Sequence, residues 1–200
     1  RPRAVEGSYM PCFLAGWSQA SCLARILGVP LYEFSHQQGH IAASLWSAGR
    51  LDLMKTPHLA WHLSGGTTEL LLVTPDGKNV KAEKLGGTSD ISAGQLIDRT
   101  GKLLGLQFPA GKAIDALSRT SECKHKYRVK LRGLEFSFSG IQNQAEKFFA
   151  DTRSPADTAR FVMNCIVGCI ADTTRAALAQ NPGLTVVFSG GVASNSMLRE

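Results

Sequence analysis

Two short apolar runs in this chain end on the same tripeptide. His58–Leu63 leads into Ser64-Gly65-Gly66, and Leu184–Phe188 leads into Ser189-Gly190-Gly191. Glycine lets backbone N–H groups approach a phosphate with no side chain in the way, and the serine hydroxyl adds a donor. The second turn precedes a helical segment, whose positive end favours an anion. A hairpin uses Gly-Gly for geometry alone, so one such turn says little. Two of them, each closing a strand, point to a nucleotide held between two lobes. Neither turn has the spacing of a Walker motif or a dinucleotide fingerprint.

The segments around these turns read as mixed α/β. The apolar spacing predicts helices over Ala15–Leu27 and His36–Gly49, with a short buried strand at Leu31–Phe34 between them. Three strands follow, His58–Leu63, Glu69–Thr74 and Asn79–Leu85. They are joined by the hairpin signals Ser64-Gly65-Gly66-Thr67 and Pro75-Asp76-Gly77-Lys78. Ser92 with Gln95 three residues on predicts a capped helix to Leu104. A second short helix runs to Leu117 after Phe108-Pro109-Ala110-Gly111. Ser154-Pro155 opens a long helix whose face carries Val162, Cys165, Ile166, Cys169 and Ile170, and Leu184–Phe188 is read as a buried strand. The fold class is therefore α/β with mixed sheets.

The charge is concentrated. The chain carries 22 basic and 16 acidic side chains, a net +6, yet Arg119, Lys124, Lys126, Arg128, Lys130 and Arg132 face only Glu122 across their stretch. Such a strip suits an anionic partner such as RNA. Its period-two alternation with His125, Tyr127, Val129 and Leu131 is equally that of a solvated edge strand. No apolar run approaches the roughly 18–20 residues of a membrane span, and no signal peptide is read at the start. The five cysteines form no zinc-like pairs, so a reduced, cytoplasmic protein is expected. A start at Arg1 without Met and a helix still running at Glu200 lead us to expect a fragment.

Several residue types invite chemistry. His36 and His40 stand at i and i+4, one turn apart on a helix, where they can share a metal ion. Two histidines are incomplete without a third protein ligand, and a pair at a helix start also serves as surface or capping residues. Asp98 and Asp115 lie on the helices flanking the Pro109-Ala110-Gly111 loop and suit a ribose diol, although solvated helix carboxylates give the same pattern. Asp90 is either of the same kind or a turn residue.

Taken in order, these segments resemble the universal tRNA threonylcarbamoyl-adenosine synthase family, formerly called O-sialoglycoprotein endopeptidase or glycoprotease. The resemblance is carried by His36-Gln37-Gln38-Gly39-His40, Leu63-Ser64-Gly65-Gly66-Thr67-Thr68, Asp98–Leu106, Phe108-Pro109-Ala110-Gly111 with Ile114-Asp115, Phe136-Ser137-Phe138-Ser139-Gly140, and Gly190–Asn195. It implies the two-lobed fold of the actin, sugar kinase and Hsp70 superfamily, incomplete here at both ends. On that reading 1–57 is the end of the first lobe with the metal-binding helix, and 58–200 is a truncated second lobe. The implied reaction transfers a threonylcarbamoyl group from its adenylate to N-6 of the adenosine beside the anticodon. It further implies one iron or zinc ion on His36 and His40, and an adenine nucleotide near Leu63, Ser64, Gly65, Gly66, Asp98, Gly111, Asp115 and Asn195. The implied partners are tRNA, with Lys124, Lys126, Arg128, Lys130 and Arg132 as candidate surface, and the partner proteins of the modification complex. The family's N-terminal phosphate-loop motif would precede Arg1, and its third metal ligand, an aspartate, would follow Glu200.

Departures from the family pattern cluster at polar positions. Gln38, Thr67, Ile91 and Gln95 replace two glutamates, a histidine and an acidic residue, while Ala110 and Lys112 alter the proline loop. They motivate an alternative, a non-catalytic paralogue that binds nucleotide as a scaffold. A sugar kinase or ATPase would explain the glycine turns but not the histidine pair. A peptidase lacks its motif, since the histidines are not His-Glu-x-x-His.

Overall fold

The computed structural model describes residues 11–77 and 79–200, apart from the side chains of residues 11–13 and of His36. Lys78 of the second hairpin turn therefore lies outside the described residues, as does the side chain of Cys12.

Helix α1 (Pro11–Leu27) and helix α2 (His36–Ser47) come first, then a 3-10 turn at Leu51–Lys55. Strands β1 (His58–Leu63), β2 (Thr68–Pro75) and β3 (Val80–Thr88) follow as an antiparallel meander, and helices α3 (Ala93–Leu103) and α4 (Gly111–Arg119) come next. The short strand β4 (Glu135–Phe136) leads to helices α5 (Ser139–Thr152) and α6 (Pro155–Gln180). Strand β5 (Thr185–Ser189), a 3-10 turn at Gly191–Ser194 and helix α7 (Ser196–Arg199) close the chain. The sheet order is β4-β3-β2-β1-β5, with β5 and β4 parallel to their neighbours, so the sheet is mixed as expected.

Strand alternation divides the interior in two. Leu59, Trp61 and Leu63 of β1 and Leu70 of β2 enter the main core with α3, α4, α5 and α6. Ala60, Leu71 and Val73 point the other way and pack with Ile41, Leu45 and Leu53 from α2 and the 3-10 turn. The Trp61 indole N–H is fully buried and donates to Thr174 Oγ1 of α6 at 2.8 Å. Helix α6 supplies the expected buried face, Val162, Cys165, Ile166, Cys169 and Ile170, behind an N-cap made by Ser154. Burial pushes the Cys165 thiol up to about 11 and the Cys169 thiol up to about 12. All four described cysteines are free thiols.

Four expectations need correction. Leu31–Phe34 is an exposed connection, not a buried strand; Phe34 is 62% exposed, and the segment is not part of the sheet. The basic strip is not a strand either, because α6 side chains occupy its backbone in place of a ladder. Tyr127 N–H donates to Cys165 Sγ, and Asn164 Nδ2 donates to the Cys123 and His125 carbonyls. Strand β5 is paired on one edge only and leaves Phe188 45% exposed, so it is not a buried strand. Helix α6 is long and apolar enough to cross a membrane by length and composition, with a window of mean hydropathy 1.3, contrary to the expected lack of such a run. Half of that window is buried in the core. Helix α5 has no counterpart in the sequence reading.

Candidate functional site

The parallel pairing of β1 with β5 brings both Ser-Gly-Gly turns to the same edge of the sheet, at the carboxyl ends of the two strands. They meet at backbone distance: a Cβ on Gly190 would stand 2.2 Å from the Leu63 carbonyl oxygen, and Gly190 has φ +92°. The first turn is closed by its own serine, whose Oγ accepts from Thr67 N–H at 3.0 Å. The amino end of α3 seats on it from below. Ser92 Oγ donates to the Gly65 carbonyl at 2.6 Å, and a Cβ on Gly94 would lie 2.5 Å from Gly65 Cα. Gly65, Gly66 and Gly191 remain exposed at this edge. Ligands of open α/β sheets settle at such carboxyl ends.

Asp98, Gly111, Asp115 and Asn195 stand on the elements around this edge. Asp98 Oδ1 accepts from Ala110 N–H at 2.8 Å and so fixes the start of α4. Ala110 gives α4 no side-chain cap, and Gly111 at its first position is exposed. Asp115 accepts from Ser196, whose Oγ donates at 2.6 Å and whose N–H lies at 3.2 Å, tying α4 to α7. Asn195 is buried, and its Oδ1 accepts from Met197 N–H at 3.0 Å as the cap of α7. Asp98 thus ties α3 to the start of α4, and Asp115 ties α4 to the start of α7.

Polar positions at and near the departures have structural work. Gln38 completes a capping box with Ser35 and donates from Nε2 to the Val80 carbonyl at 2.7 Å, strapping α2 to β3. Gln95 closes the box of Ser92. Asp90, beside Ile91, caps α5 from a distance, accepting from the Ser137 hydroxyl, from Phe138 N–H at 2.8 Å and from Ser139 N–H at 3.2 Å. Partial burial works to raise its pKa, but the donors from Ser137, Ser139 and Phe138 outweigh it and hold the carboxyl well below the usual range.

His40 lies on α2 one turn after His36, and its ring faces one that the sequence reading missed. The His62 imidazole on β1 stands with its centroid 4.6 Å from that of His40, at an interplanar angle of 42°. The pair lines a cavity of about 190 Å³ together with Thr67, Glu69 and Ser189. Alternation along β1 carried the signal: His62 shares the parity of Ala60, on the sheet face covered by α2. Among the described residues no three His, Cys, Asp or Glu side chains form a complete metal cluster. The donor set still fits a divalent transition metal, since imidazole nitrogen suits iron and zinc alike.

The basic strip is exposed at Lys124, Lys126, Arg128, Lys130 and Arg132. It is anchored by His125, which stacks on Phe148 and Phe161 at 5.6 and 5.5 Å. Between it and α6 lies a cavity of about 300 Å³ lined by Lys126, Arg128 and Asn164 among others.

Full-length HypF, in its phosphate- and nucleotide-bound form, superposes with a TM-score of 0.67 over 90% of this chain and 39% of its own, at 15% identity, which shows a shared fold. Proteins named tRNA N6-adenosine threonylcarbamoyltransferase match 98% of the chain: 33% identity over 210 residues in Streptococcus suis (strain 05ZYH33) and 34% over 207 in Carboxydothermus hydrogenoformans. The chain spans 60% of the length of these relatives. The model of the TsaD family, tRNA N6-adenosine threonylcarbamoyltransferase, matches residues 7–200. Glycine turns, helix spacing and histidine pair all lie within that match, and the chain belongs to the TsaD family.

Proposed function

We propose that the protein transfers a threonylcarbamoyl group from threonylcarbamoyl-adenylate to N-6 of the adenosine next to the anticodon of tRNA, as a cytoplasmic enzyme working with partner proteins. The observation that carries this reading is the family match over residues 7–200, joined to two glycine turns converging at one sheet edge. Backbone N–H groups at the exposed Gly65 and Gly191 suit the phosphate of the adenylate. Gly111, at the open start of α4, presents further backbone donors. Asp98 and Asp115 would orient the ribose, and Asn195 would position it from the start of α7. A metal held by His36 and His40 would supply Lewis-acid polarisation of a carbonyl or phosphate oxygen. On the same reading, 1–57 ends a first lobe, 58–200 is the second, and the strip Lys124–Arg132 contacts tRNA phosphates.

The capping boxes of α2 and α3 survive with glutamine at Gln38 and Gln95, since glutamine closes such a box as glutamate does. The test uses the product of the complete gene, with threonylcarbamoyl-adenylate, unmodified tRNA and the partner proteins. Mass spectrometry of digested tRNA is expected to find the modified nucleoside, and to lose it with His36→Ala/His40→Ala. Binding of nucleotide and tRNA without product would replace the transferase by the scaffold reading.

A further inference from the structure

We propose that Lys126–Arg128 and the cavity behind them bind an unpaired RNA nucleotide, its base against the Tyr127 ring and its flanking phosphates on Lys126 and Arg128. The inference rests on the reading of the basic strip as a tRNA contact. It adds the kind of RNA, single-stranded, and a seat for one base.

Three observations carry it. The first is the exposure of the rings. In a solvated edge strand the apolar members of the alternation turn inward together. Here Val129 and Leu131 do pack against the core, whereas His125 and Tyr127 stay exposed among Lys124, Lys126 and Arg128. His125 stacks on Phe148 and Phe161, whose own centroids are 4.9 Å apart, too close for them to cover opposite faces of a third ring. Tyr127 is 44% exposed and stacks on no other described ring. Aromatic faces interleaved with cations suit unpaired bases, whereas a duplex keeps its base faces stacked on one another.

The second is the anchoring. The segment forms neither helix nor strand, yet α6 fixes its backbone. Tyr127 N–H donates to Cys165 Sγ at 3.1 Å, and Asn164 Nδ2 donates to the Cys123 and His125 carbonyls at 2.9 and 3.1 Å. These bonds occupy the backbone and spare the side chains. Rings and cations are therefore held in place before RNA arrives, which lowers the ordering cost of binding.

The third is the cavity. About 300 Å³ opens between Tyr127 and α6, enough for a nucleobase. Gly168 leaves its wall open, since a Cβ there would meet no atom within 4 Å. Asn164 spends its amide hydrogens on the strip, so α6 offers the cavity oxygen acceptors: Asn164 Oδ1 and the carboxylate of Asp172, which is paired with Arg175. Acceptors suit the amino group of a base and disfavour a phosphate. The base therefore enters, and the phosphates stay with Lys126 and Arg128.

The test measures binding of a short single-stranded RNA, a blunt RNA duplex and unmodified tRNA to the product of the complete gene. Tyr127→Ala removes the ring and keeps the backbone N–H and every charge. It is expected to bind the single strand and tRNA at least about fivefold more weakly, with duplex binding, the slope of log affinity against log salt and thermal unfolding all near wild type. Tyr127→Phe keeps the ring and should bind as wild type. Lys126→Ala/Arg128→Ala is the reference for lost charge and should flatten the single-strand slope by about 0.7 for each phosphate released. Wild-type binding by Tyr127→Ala, with weaker binding by the reference, would overturn the base site and leave the tRNA contact standing. An equal loss for duplex and single strand would overturn it as well. No change in any variant, or no RNA bound by the wild type, would overturn the tRNA contact and this inference with it.

Discussion

Replacing Gly94 by alanine sets two effects of known sign against each other. In a helix alanine is favoured over glycine by up to about 1 kcal/mol, so propensity alone predicts a more stable protein. The structure opposes this. A Cβ on Gly94 would stand 2.5 Å from Gly65 Cα and 2.7 Å from the Ser64 carbonyl, far inside contact distance and against backbone that cannot rotate away. Either α3 or the glycine turn must retreat by about 1 Å, and forcing such a methyl into a packed site costs about 1–3 kcal/mol. The net expectation is a loss of roughly 1–2 kcal/mol, or about 3–6 °C in Tm for a chain of this size. Gly168 is the internal control, lying within α6 with no atom inside 4 Å of its added Cβ. Gly168→Ala should raise Tm by about 2–4 °C from propensity alone. Both variants are read by thermal and urea unfolding. If Gly94→Ala is stabilised as much as Gly168→Ala, the turn does not rest on α3 as described.

Asp90→Ala should cost about 0.5–2 kcal/mol, the range for removing a helix cap, with the loss confined to α5 in hydrogen exchange. Because the folded carboxyl titrates below its unfolded value near 3.9, its stabilisation is complete above that pH and fades as pH falls beneath it. The gap between wild type and Asp90→Ala should therefore shrink between about pH 4 and pH 2, and a constant gap would refute the assignment. Reversal of charge at Lys126, Arg128 and Lys130 should weaken tRNA binding and leave nucleotide binding intact. The slope of log affinity against log salt should flatten by about 0.7–0.9 for each phosphate no longer neutralised. Equal tRNA affinity before and after reversal at low salt would remove the strip from the interface.

What the sequence made legible was local. Ser92 with Gln95, and Ser154 with Pro155, carry their helix starts within four residues, and both helices begin where expected. Helix α5 escaped because its first residues bring no capping side chain; Asp90 does it from 48 residues away. Burial of Leu31–Phe34 and of β5 was misjudged because an apolar run does not state how many strands flank it. His62 was passed over for a related reason. Its parity on β1 is readable, but what meets that face depends on α2 crossing the sheet. A shared site for Asp98, Asp115 and Asn195 was implied by family resemblance alone, whereas their hydrogen bonds to Ala110, Ser196 and Met197 required coordinates.

The pairing of β1 with β5 also fixes an order of events during synthesis. Ser189 reaches His62 across 127 residues, while β1, β2 and β3 need only two tight turns to find each other. Contacts so distant are slow to close and come late. As the chain leaves the ribosome the meander can assemble early, but the edge where the glycine turns meet does not exist until residue 190 has emerged. A ligand that recognises both turns can bind only a chain grown past that point, so binding reports completed folding of this sheet and pulls the last strand into register.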